Sequence, residues 1–216
     1  SHHNLLKNQN QYSNFVWKKS SEISLNNFSN NENIKISVIG DSFSQDLVNS
    51  IFQSDLKRKI DASYIGINNG CNKNTKDFIC FKRNLSENNI IKKIIENSDY
   101  VWIAMSWNEF HVKKIIEILN EKNNLGIKQK VFIFGQKSFS ESNLNRKKLL
   151  KKSLDERKEI KHKLPERIIN LEEKMKNSFK QVKFISLLEI FCNFSFECNL
   201  FTKENELISY DGTHLT

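Results

Sequence analysis

Apolar residues in this chain gather into short unbroken runs, separated by longer stretches where they recur every three or four positions. The first pattern marks buried strands, the second helices with one buried face. Ile34-Lys35-Ile36-Ser37-Val38-Ile39-Gly40 is rich in β-branched residues and ends in glycine, which predicts a strand. Leu47, Val48, Ile51 and Phe52 then fall at helical spacing and predict a helix from Ser42 to about Phe52. Ala62 to Ile67 reads as a second strand, ended by the turn residues Asn68-Asn69-Gly70, and the segment after it as a loop holding Cys71 and Cys80. Ile90, Ile91, Ile94 and Ile95 mark the next helix face. Tyr100 to Met105 is a strand buried on both faces, followed by a helix marked by Val112, Ile115, Ile116 and Leu119. Val131 to Gly135 is a fourth strand. From Ser140 to Lys180 the chain is polar, basic and helical in period, with Pro165 opening a second helix. Val182 to Ile185 is the last strand. Five alternations predict an α/β fold, a three-layer α/β/α sandwich around a five-stranded parallel sheet.

Residues 1–33 lack this periodicity and are rich in Asn, Ser, Gln and Lys. They read as an arm or linker whose aromatics, Phe15, Trp17 and Phe28, dock on a domain spanning 34–216. That length suits one domain with a real core. A hydrophobic share of 38%, with 16 Phe, excludes wholesale disorder. No run of eighteen apolar residues exists, and the N-terminus has no basic-then-apolar signal pattern.

Charge changes the picture next. Lys and Arg number 34 against 25 Asp and Glu, a net charge of +9. Such an excess invites a polyanionic partner. It is spread over Lys-rich helices, especially Arg146 to Lys163, without the interleaved aromatics that stack bases. That stretch reads as a basic helix with a solvated face. Nucleic acid is therefore not the expected partner; anionic headgroups or acidic glycans are.

In an open parallel sheet, ligands bind at the carboxyl ends of the strands. After the first strand comes Gly40-Asp41-Ser42, which presents Ser42 at a helix N-terminus, where free N–H groups favour developing negative charge. The plain alternative is an ordinary helix cap. Near the end of the chain, Tyr210-Asp211-Gly212-Thr213-His214-Leu215 puts a carboxylate three residues before a histidine. On a turn, that spacing lets Asp211 accept from one imidazole nitrogen while the other faces a serine, the base and orienter of a Ser-His-Asp triad. Alone it would be a surface turn; together the two signals are much more specific.

These residues resemble the SGNH (GDSL-like) hydrolases and acyltransferases. That family places its nucleophile in Gly-Asp-Ser after the first strand and its Asp-x-x-His near the C-terminus. The resemblance implies a catalytic triad of Ser42, Asp211 and His214 on a flavodoxin-like sheet. It also implies an oxyanion hole from the backbone N–H groups of Ser42 and Gly70 and the side chain of Asn108. Ser106-Trp107-Asn108-Glu109 departs from the family's usual Gly-x-Asn-Asp at that block. More narrowly, the order of Gly-Asp-Ser, a Cys-containing loop, a strand followed by Trp107, and a Cys pair before Asp-x-x-His-Leu resembles one group. These are the periplasmic SGNH domains fused behind the membrane domain of acyltransferase-3 proteins, which O-acetylate surface glycans. That narrower resemblance implies acetyl transfer through a serine ester, with no cofactor and no metal. A glycan would be the acceptor, and the donor would arrive through a membrane domain outside this chain. The setting would be extracytoplasmic and the isolated domain monomeric. An esterase with the same triad and a non-catalytic glycan-binding module are the alternatives.

Cys71 and Cys80 lie in one local pair, and Cys192 and Cys198 in another. Two local pairs suit two small-loop disulfides in an oxidising compartment. Zinc binding is the rival, although neither pair has the two-to-four-residue separation of zinc hooks. Four reduced core cysteines are the third reading. His111 reads as a structural or solvated histidine on its helix, and His162, between Lys161 and Lys163, as exposed. Phe191, Phe194 and Phe196 read as core and loop packing.

Overall fold

The computed structural model describes residues 17–29, 31–68, 77–123, 125, 127–139, 149–209 and 214–215. Five parallel strands form its centre: β1 (Ile34–Gly40), β2 (Ile60–Gly66), β3 (Tyr100–Ala104), β4 (Lys130–Phe134) and, after a short β5 (Lys161–Lys163), β6 (Lys183–Ile185). Their order across the sheet is β2-β1-β3-β4-β6, all parallel. The chain therefore leaves β1 in one direction and resumes at β3 in the other. The carboxyl ends of β1 and β3 flank that switch point, where an open α/β sheet binds ligands.

Helices cover both faces. On one lies α1 (Ser42–Gln53), whose Val48 and Ile51 pack on Ile36 and Val38 of β1 and on Ile60, Ala62 and Tyr64 of β2. The other face holds the larger core. There Ile39, Ile65 and Ile103 meet α2 (Asp77–Glu87), α3 (Asn89–Glu96), α4 (Glu109–Asn120) and, beyond a short α5 (Leu154–Lys158), α6 (Glu166–Ser178). The alternation is direct: Val38 faces α1 and Ile39, one residue on, faces the opposite layer. Burying one such Ile or Val side chain contributes about 1.5–3 kcal/mol. α3 shows why the isoleucine spacing makes a helix here. Ile91, Ile94 and Ile95 are buried and Ile90 is exposed, while Asn88 caps the first turn by accepting from the N–H groups of Ile90 and Ile91.

Several elements depart from the expected pattern. The segment expected as a loop after β2 contains α2, in which Phe78, Phe81 and Leu85 supply a buried face at helical spacing. Its Cys80 sits in that helix, fully buried and disulfide-bonded. The expected partner, Cys71, lies outside the described residues, as does Phe15. The basic stretch Arg146 to Lys163 is not one helix. Its described part holds α5, opened by a Ser153–Glu156 capping box, and then β5, which pairs antiparallel with β7 (Glu197–Asn199). Strand alternation turns His162 inward opposite Cys198, so it is half-buried rather than exposed. The disulfide Cys192–Cys198 joins the end of α7 (Leu187–Phe191) to β7. For that pair the zinc and free-thiol readings fall away. Of the three phenylalanines beside it, Phe191 packs on Phe139 and Phe196 is half-buried, but Phe194 is fully exposed.

Residues 17–29 pack on the domain. Residues 17–22 are helical, and Ser24 then bridges Tyr64 in parallel at the outer edge of β2, with the Leu25 N–H donating to Tyr64 and the Tyr64 N–H to Ile23. Phe28 joins the larger core, and Trp17 reaches the ring of His214. No helix among the described residues is long and apolar enough to cross a membrane.

Candidate active site

The site begins with a close approach. Gly40 pairs with Gly66 on one side and Ala104 on the other, and its φ of +149° suits glycine. A Cβ built there would stand 1.7 Å from the Ala104 carbonyl oxygen. Tyr64 closes the same corner, its hydroxyl donating to the Gly40 carbonyl at 3.3 Å. Burial pushes the Tyr64 phenol up to about 12, so it stays neutral and keeps its proton for that bond.

Asp41 is the next piece. It is the N-cap of α1, where one carboxylate oxygen accepts from the Phe43 N–H at 2.9 Å. The other accepts from the Ser106 N–H at 2.8 Å, in the turn after β3. One carboxylate therefore ties the helix start to the neighbouring strand's exit, across the switch point. The cap reading of Asp41 is correct, and it leaves Ser42 at the first helical position, whose N–H has no intrahelical acceptor.

Ser42 and His214, 172 residues apart, come together: His214 Nε2 lies 2.8 Å from Ser42 Oγ, and both residues are half-buried. Two aromatic rings flank the imidazole. Phe43 lies 5.8 Å away and Trp17, from the N-terminal segment, 6.0 Å away, both T-shaped. Leu215 pairs with Ser209 across an isolated bridge, and its N–H donates to Asp46 Oδ2 in α1 at 3.2 Å. Asp211 and Gly70 lie outside the described residues.

Asn108 follows β3 on the same side of the sheet and is exposed. Its Oδ1 caps α4 by accepting from the His111 N–H at 2.9 Å, which leaves the amide nitrogen as the group that can donate elsewhere. His111 serves the loop: its ring Nδ1 lies 2.7 Å from the Ser106 carbonyl oxygen and its face lies against Phe78 at 5.2 Å. It is a structural histidine.

The turn after β4 supplies residues that sequence reasoning missed. Gln136 accepts from the Trp107 N–H at 3.2 Å and donates its own N–H to the buried Glu172 at 3.0 Å. Burial holds the Glu172 carboxyl above the usual range. Lys137, fully buried, pairs with Asp46 and lies 4.2 Å over the Phe43 ring. The carboxyl-end rule applied to Ser42 could have found this turn, since Gly135-Gln136-Lys137-Ser138 follows a strand directly. Beside Asn108 a groove of about 460 Å³ opens between α4 and α6, lined in part by Trp107, Gln136, Arg167 and Lys174.

Comparison with known proteins gives a family and a fold. A family model described as an SGNH domain fused to AT3 domains matches residues 17–216. No curated protein matches. Among solved structures, the periplasmic domain of a lipopolysaccharide acetyltransferase from Salmonella ser. Paratyphi A is similar over 95% of this chain and 90% of that one. Its TM-score is 0.63 at 16% sequence identity, a likeness of fold.

Proposed function

The chain belongs to the SGNH family, in the group whose domain is fused to AT3 domains, and from that premise we propose that it moves an acetyl group through an ester on Ser42 to a glycan hydroxyl. The observation that carries the reading is the 2.8 Å approach of His214 Nε2 to Ser42 Oγ at a helix N-terminus. In the first half-reaction Ser42 Oγ attacks the acetyl carbonyl carbon while His214 Nε2 takes its proton. The tetrahedral oxyanion is met by the Ser42 N–H, with Gly70 N–H and the Asn108 amide as further donors. Collapse of that intermediate expels the donor's leaving group, which takes the proton back from His214. In the second half-reaction a glycan hydroxyl gives its proton to His214 and attacks the acyl-serine. Ser42 takes that proton from His214 and leaves as the hydroxyl, and the acetylated glycan is free. Asp211 holds the imidazole in the required tautomer throughout.

Several features support a glycan as acceptor. The groove beside Asn108 offers amide and guanidinium donors suited to sugar hydroxyls on a largely apolar lining suited to a sugar ring face. The structurally similar Salmonella protein is, by name, a lipopolysaccharide acetyltransferase. The Cys192–Cys198 disulfide fits an oxidising, extracytoplasmic compartment. A membrane AT3 domain would deliver the donor. Supplied with an acetyl ester and an oligosaccharide, the protein is expected to place acetyl on the sugar faster than it releases acetate. Acetate release alone, indifferent to added sugar, would make it an esterase.

Asn108 has its own test. Asn108→Asp keeps a side-chain oxygen to cap α4 but removes the amide donor. The expected result is a kcat lower by on the order of 10²-fold with little change in melting temperature. Wild-type kcat in that variant would remove Asn108 from the oxyanion hole.

A further inference from the structure

Asp46 and Lys137 form an ion pair with both side chains 1% exposed. Replacing a buried pair of this kind by apolar residues of similar volume is often neutral or stabilising, so stability alone does not account for it. Its surroundings do. Asp46 Oδ2 also accepts from the N–H of Leu215, the residue after His214, at 3.2 Å. Asp46 stands four residues after Ser42 in α1, on the same helix face. Two consecutive residues of the C-terminal segment are thus fixed to two successive turns of one helix. His214 meets Ser42 Oγ, and Leu215 meets the Asp46 carboxylate. Lys137 completes the unit from the turn after β4: it pairs with the buried carboxylate and covers Phe43, whose ring lies T-shaped to that of His214.

We propose that the Asp46–Lys137 pair is a clamp that positions His214 over Ser42 through the Leu215 backbone N–H. Asp46 and Lys137 are positioning residues, acting through Leu215 and Phe43. The charge matters because an N–H donating to an ionised acceptor is held more tightly than one donating to a neutral oxygen. The proposal rests on the reading of Ser42 and His214 as nucleophile and base.

Two double variants test it, since breaking only one partner strands a buried charge. Asp46→Leu with Lys137→Met keeps the volume and removes the acceptor; Asp46→Asn with Lys137→Met restores a neutral acceptor. For turnover of an acetyl ester, the first is expected to lose roughly 10- to 100-fold in kcat with KM nearly unchanged, as for a slightly misplaced catalytic group. Its Leu215 amide is expected to exchange with solvent at least about tenfold faster than in the wild type. The second variant is expected to regain only part of both, since its acceptor is present but neutral. Wild-type kcat and wild-type Leu215 protection in the first variant would overturn the clamp. So would equal losses in both variants with Leu215 still protected. If neither variant folds, the wild-type protein decides by itself: a protected Leu215 amide supports the clamp, and one exchanging at the rate of an unstructured peptide overturns it. Amide exchange does not depend on turnover, so a failure of the catalytic reading, seen as undiminished activity in Ser42→Ala, is told apart from a failure of the clamp.

Discussion

Ser42→Ala is expected to lower turnover of an activated acetyl ester by on the order of 10⁴-fold or more. The Oγ is the only atom at the helix N-terminus placed 2.8 Å from an imidazole nitrogen among the described residues, so its loss removes both the attacking atom and the ester it would form. What would remain is the polarising effect of the oxyanion donors. His214→Ala should fall to a similar floor, because nucleophile and base act as a unit and their losses do not add. The alanine variant should stay folded, since among the described residues the Ser42 hydroxyl makes one hydrogen bond, worth about 1 kcal/mol. Steady-state kinetics with a melting curve on the same sample checks both halves. Turnover close to wild type in Ser42→Ala would transfer the chemistry to another residue.

Gly40→Ala is expected to act on the fold with comparable force. The added methyl would sit 1.7 Å from the Ala104 carbonyl oxygen and 3.0 Å from Ser44 Cβ, with φ at +149°. The neighbour it strikes is backbone in a central strand, with little freedom to move. Overpacking and backbone strain together should cost about 3 kcal/mol or more. In a chain of this size that is a fall of roughly 10 °C in melting temperature. The damage should also reach the site, because β1 and β3 must part and the Asp41–Ser106 hydrogen bond spans them. Thermal unfolding measures it directly. A wild-type melting temperature would mean that β1 and β3 do not approach this closely.

The two substitutions flank Asp41, and much of this region is legible in the amino-acid sequence. β1 matches its expected range of Ile34–Gly40, and α1 begins at Ser42, because a β-branched run, a glycine and an N-capping Asp all point to the same boundary. The approach of Ser42 to His214 is expected from two short motifs at opposite ends of the domain. The β5–β7 ribbon is not legible. Lys161-His162-Lys163 has no β-branched residue, and its partner strand lies far along the chain. Its strand form is imposed by pairing and by the Cys198 disulfide. α2 carries a readable period in Phe78, Phe81 and Leu85, hidden when its cysteine is read as a loop staple. The Asp46–Lys137 pair is beyond reach for a different reason: its partners are 91 residues apart, and a lysine is almost never fully buried unless paired. Local pattern reveals which residues are buried far better than which buried charges meet.

The most direct test of the central claim is the mass of the protein after brief incubation with an acetyl donor and rapid acid quench. The expected result is a gain of one acetyl group, mapped to the peptide carrying Ser42, absent from Ser42→Ala and lost on adding the acceptor sugar. Turnover of the donor with no acetyl on Ser42 at any quench time, or an acetyl group that persists in Ser42→Ala, would contradict it.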